Sequence, residues 1–164
     1  MATFVLIHGG GDVGWYWHQV EADLRRRGHD SVAPDLPCDD ESAGLSEYAD
    51  AVVAAVGDRR HLVVVGQSYG GFTAPLVADR VPVDLLVLVA GMIPVRGEAP
   101  ADWWDNTGYA QAAREQARRD GGLTGNDDPF VASYHDVPRA LAEKAMSKER
   151  EESNTAYQSP WPLA

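Results

Sequence analysis

The chain has 164 residues, of which 45% are apolar and 24% charged, the proportions of an ordinary globular protein rather than a disordered or fibrous one. That length suits one domain with one core, burying about two-thirds of the surface its unfolded form exposes. A formal charge of −11, from 25 acidic against 14 basic side chains, repels phosphate backbones and anionic head groups and argues against nucleic acid as a partner.

No apolar run approaches the roughly 18 residues that span a bilayer, so no membrane partner is expected. Cys38 has no second cysteine to pair with. Met1-Ala2-Thr3 lacks the basic region and long apolar stretch of a secretory leader, which makes cytoplasmic residence the default expectation.

In chain order, residues 3–7, 61–65 and 84–89 are nearly continuous apolar runs, the pattern of strands buried on both faces. Ser31-Val32-Ala33, closed by Pro34-Asp35, is a shorter fourth candidate. Between them Trp17, Val20 and Leu24 precede Gly28, and Tyr48, Val52 and Val56 precede Gly57; each set has helical spacing and a glycine stop. Alternating strand and helix predicts right-handed βαβ units: an α/β, three-layer sandwich with an open parallel sheet of about four strands and helices on both faces.

After Ala90 the pattern changes. Gly91 to Asp105, carrying Pro94, Gly97 and Pro100, reads as a loop. Two polar helices follow, from about Tyr109 to Asp120 and from about Pro138 to Glu152. Val137, Leu141 and Ala145 form a narrow stripe suited to covering a pocket, whereas Lys148 to Glu152 reads as a solvated face. Ser159-Pro160-Trp161-Pro162 looks extended and poorly anchored. The organisation expected is a core over 1–97 and a lid-like helical segment over 98–164 of the same domain.

Chemistry concentrates in Gly66-Gln67-Ser68-Tyr69-Gly70. A G-x-S-x-G motif that follows a buried strand and opens a helix places its serine on a sharp turn that lifts the hydroxyl above the sheet, which makes Ser68 the candidate nucleophile. The competing reading, a phosphate-binding glycine turn, lacks an accompanying G-x-G-x-x-G or Walker lysine. Upstream, the first strand runs into His8-Gly9-Gly10-Gly11. Acyl transfer develops negative charge on the former carbonyl oxygen, and fixed backbone N–H donors are its main stabilisers. Those donors are assigned to Gly10 and to Tyr69, the residue after the nucleophile at the positive end of the following helix. A turn that merely reverses the chain would explain the glycines on their own, but their pairing with the elbow argues against it.

These residues, together with Gly14-Trp15-Tyr16-Trp17, Gly28-His29, Asp35-Leu36-Pro37 and Gly71, make residues 3–97 resemble the small α/β-hydrolases that include plant methyl esterases and hydroxynitrile lyases. The lyase branch typically carries threonine after the first histidine; Gly9 stands there, which favours an esterase. The resemblance also implies an acid and then a histidine after later strands, and neither is matched before Ala164, so the chain reads as a truncated form of that fold. Among the histidines, His8 belongs to the glycine loop, His18 to the first helix, and His29 and His61 to the opposite sheet end, all structural readings. His135 alone follows the elbow and could swing near Ser68, but a mobile lid loop suits the demanding geometry of a general base poorly. Glu98 and Asp102 are speculative acids. Trp15 is the best aromatic candidate for a substrate pocket, although packing is the commoner role for such residues.

The expected function is hydrolysis of a small-molecule carboxylic ester or similar acyl bond through Ser68, impaired by the unmatched triad partners. The alternative is a catalytically silent relative that binds a small molecule or partner through the same pocket. No cofactor is expected, and no metal, since neither H-E-x-x-H nor paired-cysteine spacing occurs. Asp84 to Val89, apolar on both faces, is a candidate edge strand for homo-oligomerisation.

Overall fold

The computed structural model describes residues 1–163. Four strands, β1 (Thr3–Ile7), β2 (Asp30–Val32), β3 (Leu62–Gln67) and β4 (Val83–Val89), form one parallel sheet in the order β2-β1-β3-β4. Helices α1 (His18–Arg26), α2 (Leu45–Val56) and α3 (Gly70–Arg80) make the three crossovers. The step from β1 to β2 runs one way across the sheet and the next two run the other way. Right-handed crossovers therefore put α1 on one face and α2 with α3 on the opposite face. The expected three-layer α/β sandwich is what forms.

The sheet centre is the core. Val5, Ile7 and Val64 are fully buried, and Tyr48 and Val52 of α2 and Phe72 and Val77 of α3 close over them. Glu47 starts α2 by accepting the Gly44 N–H across 2.8 Å, satisfying a donor that the helix itself leaves unpaired. The β3–β4 register carries a bulge that leaves Asp84 between the paired positions Val83 and Leu85.

By compactness the chain divides into one unit of residues 1–101 and 150–164 and a second of 102–149. The second contains α5 (Tyr109–Arg119), α6 (Pro129–Ala132), α7 (Arg139–Met146) and most of α4 (Pro100–Asn106). Within it Arg139 stacks 4.3 Å over the Phe130 ring, and Asp120 folds the turn after α5 by accepting the Gly122 and Leu123 N–H groups. No helix among the described residues is long and apolar enough to cross a membrane.

Three sequence expectations need correction. The loop expected through Asp105 gives way to α4, which Pro100 opens with its preset φ and Asp102 supports from the first turn. The helix expected through Glu152 ends at Met146, and α8 (Asn154–Gln158), capped by the Ser153 hydroxyl, follows. The final residues are anchored: the Trp161 indole N–H donates to the Phe72 carbonyl at 2.9 Å, and the Trp161 backbone pairs with Gly97 and Glu98.

Candidate active site

Ser68 occupies the junction between the end of β3 and the start of α3 with φ of 49°, in the left-handed region that side chains other than glycine avoid. Packing forces this turn. A Cβ on Gly66 would meet the Gly70 carbonyl at 2.7 Å and Ala74 Cβ at 2.8 Å, and one on Gly70 would meet the His8 carbonyl at 2.8 Å. Strand and helix thus cross too closely for a side chain at either position, and the reversal falls on Ser68. Its N–H donates to the Val89 carbonyl at 3.1 Å and its carbonyl accepts the Met92 N–H at 2.9 Å.

Gly70 brings the loop after β1 against the same helix start, and a Cβ on Gly10 would stand 3.5 Å from Tyr69 Cβ. The two residues expected to supply N–H donors are therefore neighbours. Tyr69 lies at the first turn of α3, where backbone donors have no helical acceptor. Its side chain is buried, and among the described residues its phenolic oxygen has no hydrogen-bond partner. Burial first, and then the Glu152 charge, push that phenol well above its ordinary range.

His8 is 1% exposed and holds the loop in place. Its Nδ1–H donates to the Gly9 carbonyl at 2.9 Å, and its Nε2 accepts the Leu36 N–H at 3.1 Å, which specifies the neutral Nδ1–H tautomer. Burial pushes its pKa below the ordinary value. Beyond the loop, the Asp35 carboxylate accepts the Gly14 N–H at 2.8 Å. Gly9 has a local reason: a Cβ there would fall on the Gln67 side-chain oxygen and lie 3.2 Å from an Asp12 carboxylate oxygen.

The remaining histidines are engaged elsewhere. His18 donates to the Trp15 carbonyl at 2.8 Å and stacks on its ring, and His29 accepts the Ala2 N–H. His61 faces Asp84 at 3.2 Å, while His135 belongs to the second unit, where it bonds the Val131 carbonyl at 3.1 Å. Glu98 is 7% exposed and accepts the Val95 N–H, so its carboxylate closes a loop; Asp102 is exposed on α4.

A cavity of about 220 Å³ adjoins the loop, lined by His8, Asp12, Tyr16, Trp17, Val20 and Gln67. Trp15, the expected pocket aromatic, is not part of that lining. A larger cleft of about 360 Å³ lies at the opposite end of the sheet around Arg59, His61 and Asp84, away from the Ser68 turn.

Sequence reasoning missed Arg150 and Glu152. The Gly11 N–H donates to Glu152 Oε1 at 3.1 Å, the Tyr48 hydroxyl donates to Glu152 Oε2 at 2.9 Å, and Arg150 reaches Asp35 at 3.3 Å. A charge run carries no periodic signal for such contacts, which join positions more than 100 residues apart.

A parallel α/β sheet whose third strand ends in a left-handed serine, beside a glycine loop from the first strand, defines a hydrolase-type architecture. The model of the Alpha/beta hydrolase family matches residues 4–163, and the chain belongs to that family. It is 36% identical over 108 residues to Esterase PIR7B of Oryza sativa subsp. japonica, covering 58% of this chain and 40% of the relative. It is 33% identical over 111 residues to Methylesterase 7 of Arabidopsis thaliana, covering 60% of this chain and 43% of the relative. The aligned region thus spans well under half of these relatives. Among solved structures, an extracellular alpha/beta-hydrolase from a Paenibacillus species superposes with a TM-score of 0.73 at 21% identity, covering 99% of this chain and 72% of that one. A variant of polyneuridine aldehyde esterase superposes with a TM-score of 0.71 at 19% identity, covering 94% and 70%. These likenesses show the fold.

Proposed function

We propose that the chain carries the acyl-transfer half-site of a carboxylic-ester hydrolase, with Ser68 as nucleophile and the Gly10 and Tyr69 N–H groups as oxyanion donors. The observation that carries this reading is the left-handed turn of Ser68 between β3 and α3, with the Gly10 loop packed against Tyr69. The esterase names of the rice and Arabidopsis relatives support the substrate class.

In this reading Ser68 Oγ bonds to the acyl carbon while the carbonyl electron pair moves onto oxygen, where the two N–H groups receive it. Collapse of the intermediate breaks the ester C–O bond, and the alcohol leaves with the proton given up by the serine. Water then attacks the acyl-enzyme, releasing the acid and restoring the hydroxyl. Among the described residues no histidine bonds Ser68, so this reading takes solvent as the proton acceptor. Turnover is accordingly impaired, and what remains is the smaller acceleration that an oxyanion hole and binding give without a complete triad. Cytoplasmic residence is part of this reading, and the β4 edge is the proposed contact for self-association.

The alternative, a silent relative that binds through the same region, is favoured by one observation: among the described residues no histidine makes a hydrogen bond to Ser68. A fluorophosphonate probe separates the two. Covalent labelling that Ser68→Ala abolishes establishes an activated serine. Absence of labelling at millimolar probe over hours overturns the hydrolase reading.

A further inference from the structure

The loop Gly9–Gly11 is three glycines, the residues with the most backbone freedom to lose. An oxyanion donor accelerates a reaction only if it is held in place before charge develops. The rigidity must therefore come from outside the loop, and the structure supplies it at two points. On one side His8 holds the Gly9 carbonyl. On the other, both backbone groups of Gly11, itself at φ 75°, are taken by one tripeptide late in the chain: its N–H by Glu152 Oε1 at 3.1 Å and its carbonyl by the Arg150 N–H at 2.9 Å.

That tripeptide is itself fixed. The second Glu152 oxygen accepts the hydroxyl of the fully buried Tyr48 on α2. The Arg150 guanidinium lies 3.3 Å from Asp35 and 3.5 Å from Asp39, and the Ser153 hydroxyl donates to the Ala43 carbonyl at 2.7 Å. The Glu152 side chain also walls the loop, since a Cβ on Gly10 would lie 3.8 Å from Glu152 Cγ. Gly10 is thus suspended between a residue pinned by His8 and one pinned by Glu152.

We infer that Glu152 is a positioning residue of the oxyanion loop: its carboxylate, anchored on Tyr48, fixes Gly11 and so holds the Gly10 N–H in register with that of Tyr69. This rests on the acyl-transfer reading of Gly10 and Tyr69. It adds a role for a late segment of the chain that the motif does not contain. The bond needs an acceptor for Gly11 and a partner for Tyr48, and a glutamine can offer both, because its amide oxygen accepts and its NH₂ donates to the phenolic oxygen.

The test uses the full chain with Glu152→Ala and Glu152→Gln, read by amide hydrogen exchange over residues 8–12 and by fluorophosphonate labelling across probe concentrations, which separates binding from the chemical step. Glu152→Ala should speed exchange locally and lower the limiting labelling rate on the order of 10- to 100-fold with half-saturation unchanged. Glu152→Gln should restore both to within a few-fold of the unmodified protein. Unaltered local exchange in Glu152→Ala overturns the inference, and so does acceleration spread equally through β1 and β3, which would mark general destabilisation. A parent chain that shows no Ser68-dependent labelling overturns the acyl-transfer reading and with it the catalytic purpose assigned to Glu152. An exchange result that fails while labelling persists overturns Glu152 alone.

Discussion

The Ser68 N–H donates to the carbonyl of Val89 across 3.1 Å, so the turn that carries the hydroxyl is held by the last residue of the outermost strand. What is held there is strained. A left-handed conformation costs a residue with a Cβ about 1–2 kcal/mol, and Ser68 sits at φ 49°. Ser68→Gly should therefore raise the unfolding free energy by roughly 0.5–1 kcal/mol in urea titrations, the relief of strain exceeding the entropy glycine adds to the unfolded chain. Ser68→Ala, which keeps the Cβ, should change stability little. A Ser68→Gly protein less stable than the parent would show that the turn is not strained.

His8 makes stability depend on pH. Burial holds its folded pKa below the ordinary 6.5, with the hydrogen bond to the Gly9 carbonyl opposing the shift. Above pH 6.5 both folded and unfolded forms carry a neutral ring. As pH falls below 6.5 the unfolded chain takes up a proton that the folded protein refuses, so stability declines until the folded pKa is passed. Urea unfolding between pH 7.5 and 5 should show that decline, and the His8 ring should titrate below 6.5 by NMR. A ring titrating above 6.5 would contradict the neutral tautomer bonded to Gly9 and Leu36.

Much of this arrangement was legible from residue order, for reasons particular to each element. β1 and β3 are central, buried on both faces and hence almost uniformly apolar, and the glycines around Ser68 are demanded by backbone contacts that reach 2.7 Å for an added Cβ. Arg150 and Glu152 were illegible because a carboxylate bonding a loop amide more than 100 positions upstream looks, in sequence, like any exposed charge. Trp161 was misjudged for a related reason. Two flanking prolines suggest a loose tail, yet one indole N–H finds the Phe72 carbonyl inside the fold.

Cys38 should be chemically silent in the folded protein. Burial is the main cause and the Glu152 charge the next, and together they push its thiol from an ordinary 9.0 up to about 12. The thiolate, the reactive form, is then about 10³-fold scarcer near neutral pH. Modification by iodoacetamide at pH 8 should be slower by at least that factor than in urea-unfolded protein. Comparable rates in both states would place the thiol outside the core.

The apolar edge is the remaining feature with a measurable consequence. Among the described residues β4 pairs with β3 alone, and Leu85, Leu86 and Val89 are 55%, 37% and 44% exposed. Consecutive strand residues face opposite sides of a sheet, so Leu85 and Leu86 leave apolar surface bare on both faces. The run 85–89 contains no lysine, proline or inward charge of the kind that blunts natural edges. A two-fold contact of this strand with its own copy would run antiparallel. Centred on Leu86, it sets Asp84 against Leu88 and Leu85 against Val87, with no like charges opposed. Light scattering coupled to size exclusion should therefore report a concentration-dependent dimer. Leu85→Lys should shift it toward monomer while the far-ultraviolet circular dichroism stays unchanged. A parent chain that remains monomeric at several hundred micromolar, with the amides of 85–89 strongly protected from exchange, would show that the edge is covered within the chain. Because Val89 also holds Ser68, dimerisation should slow exchange of the Ser68 amide as well, and Leu85→Lys should reverse that protection.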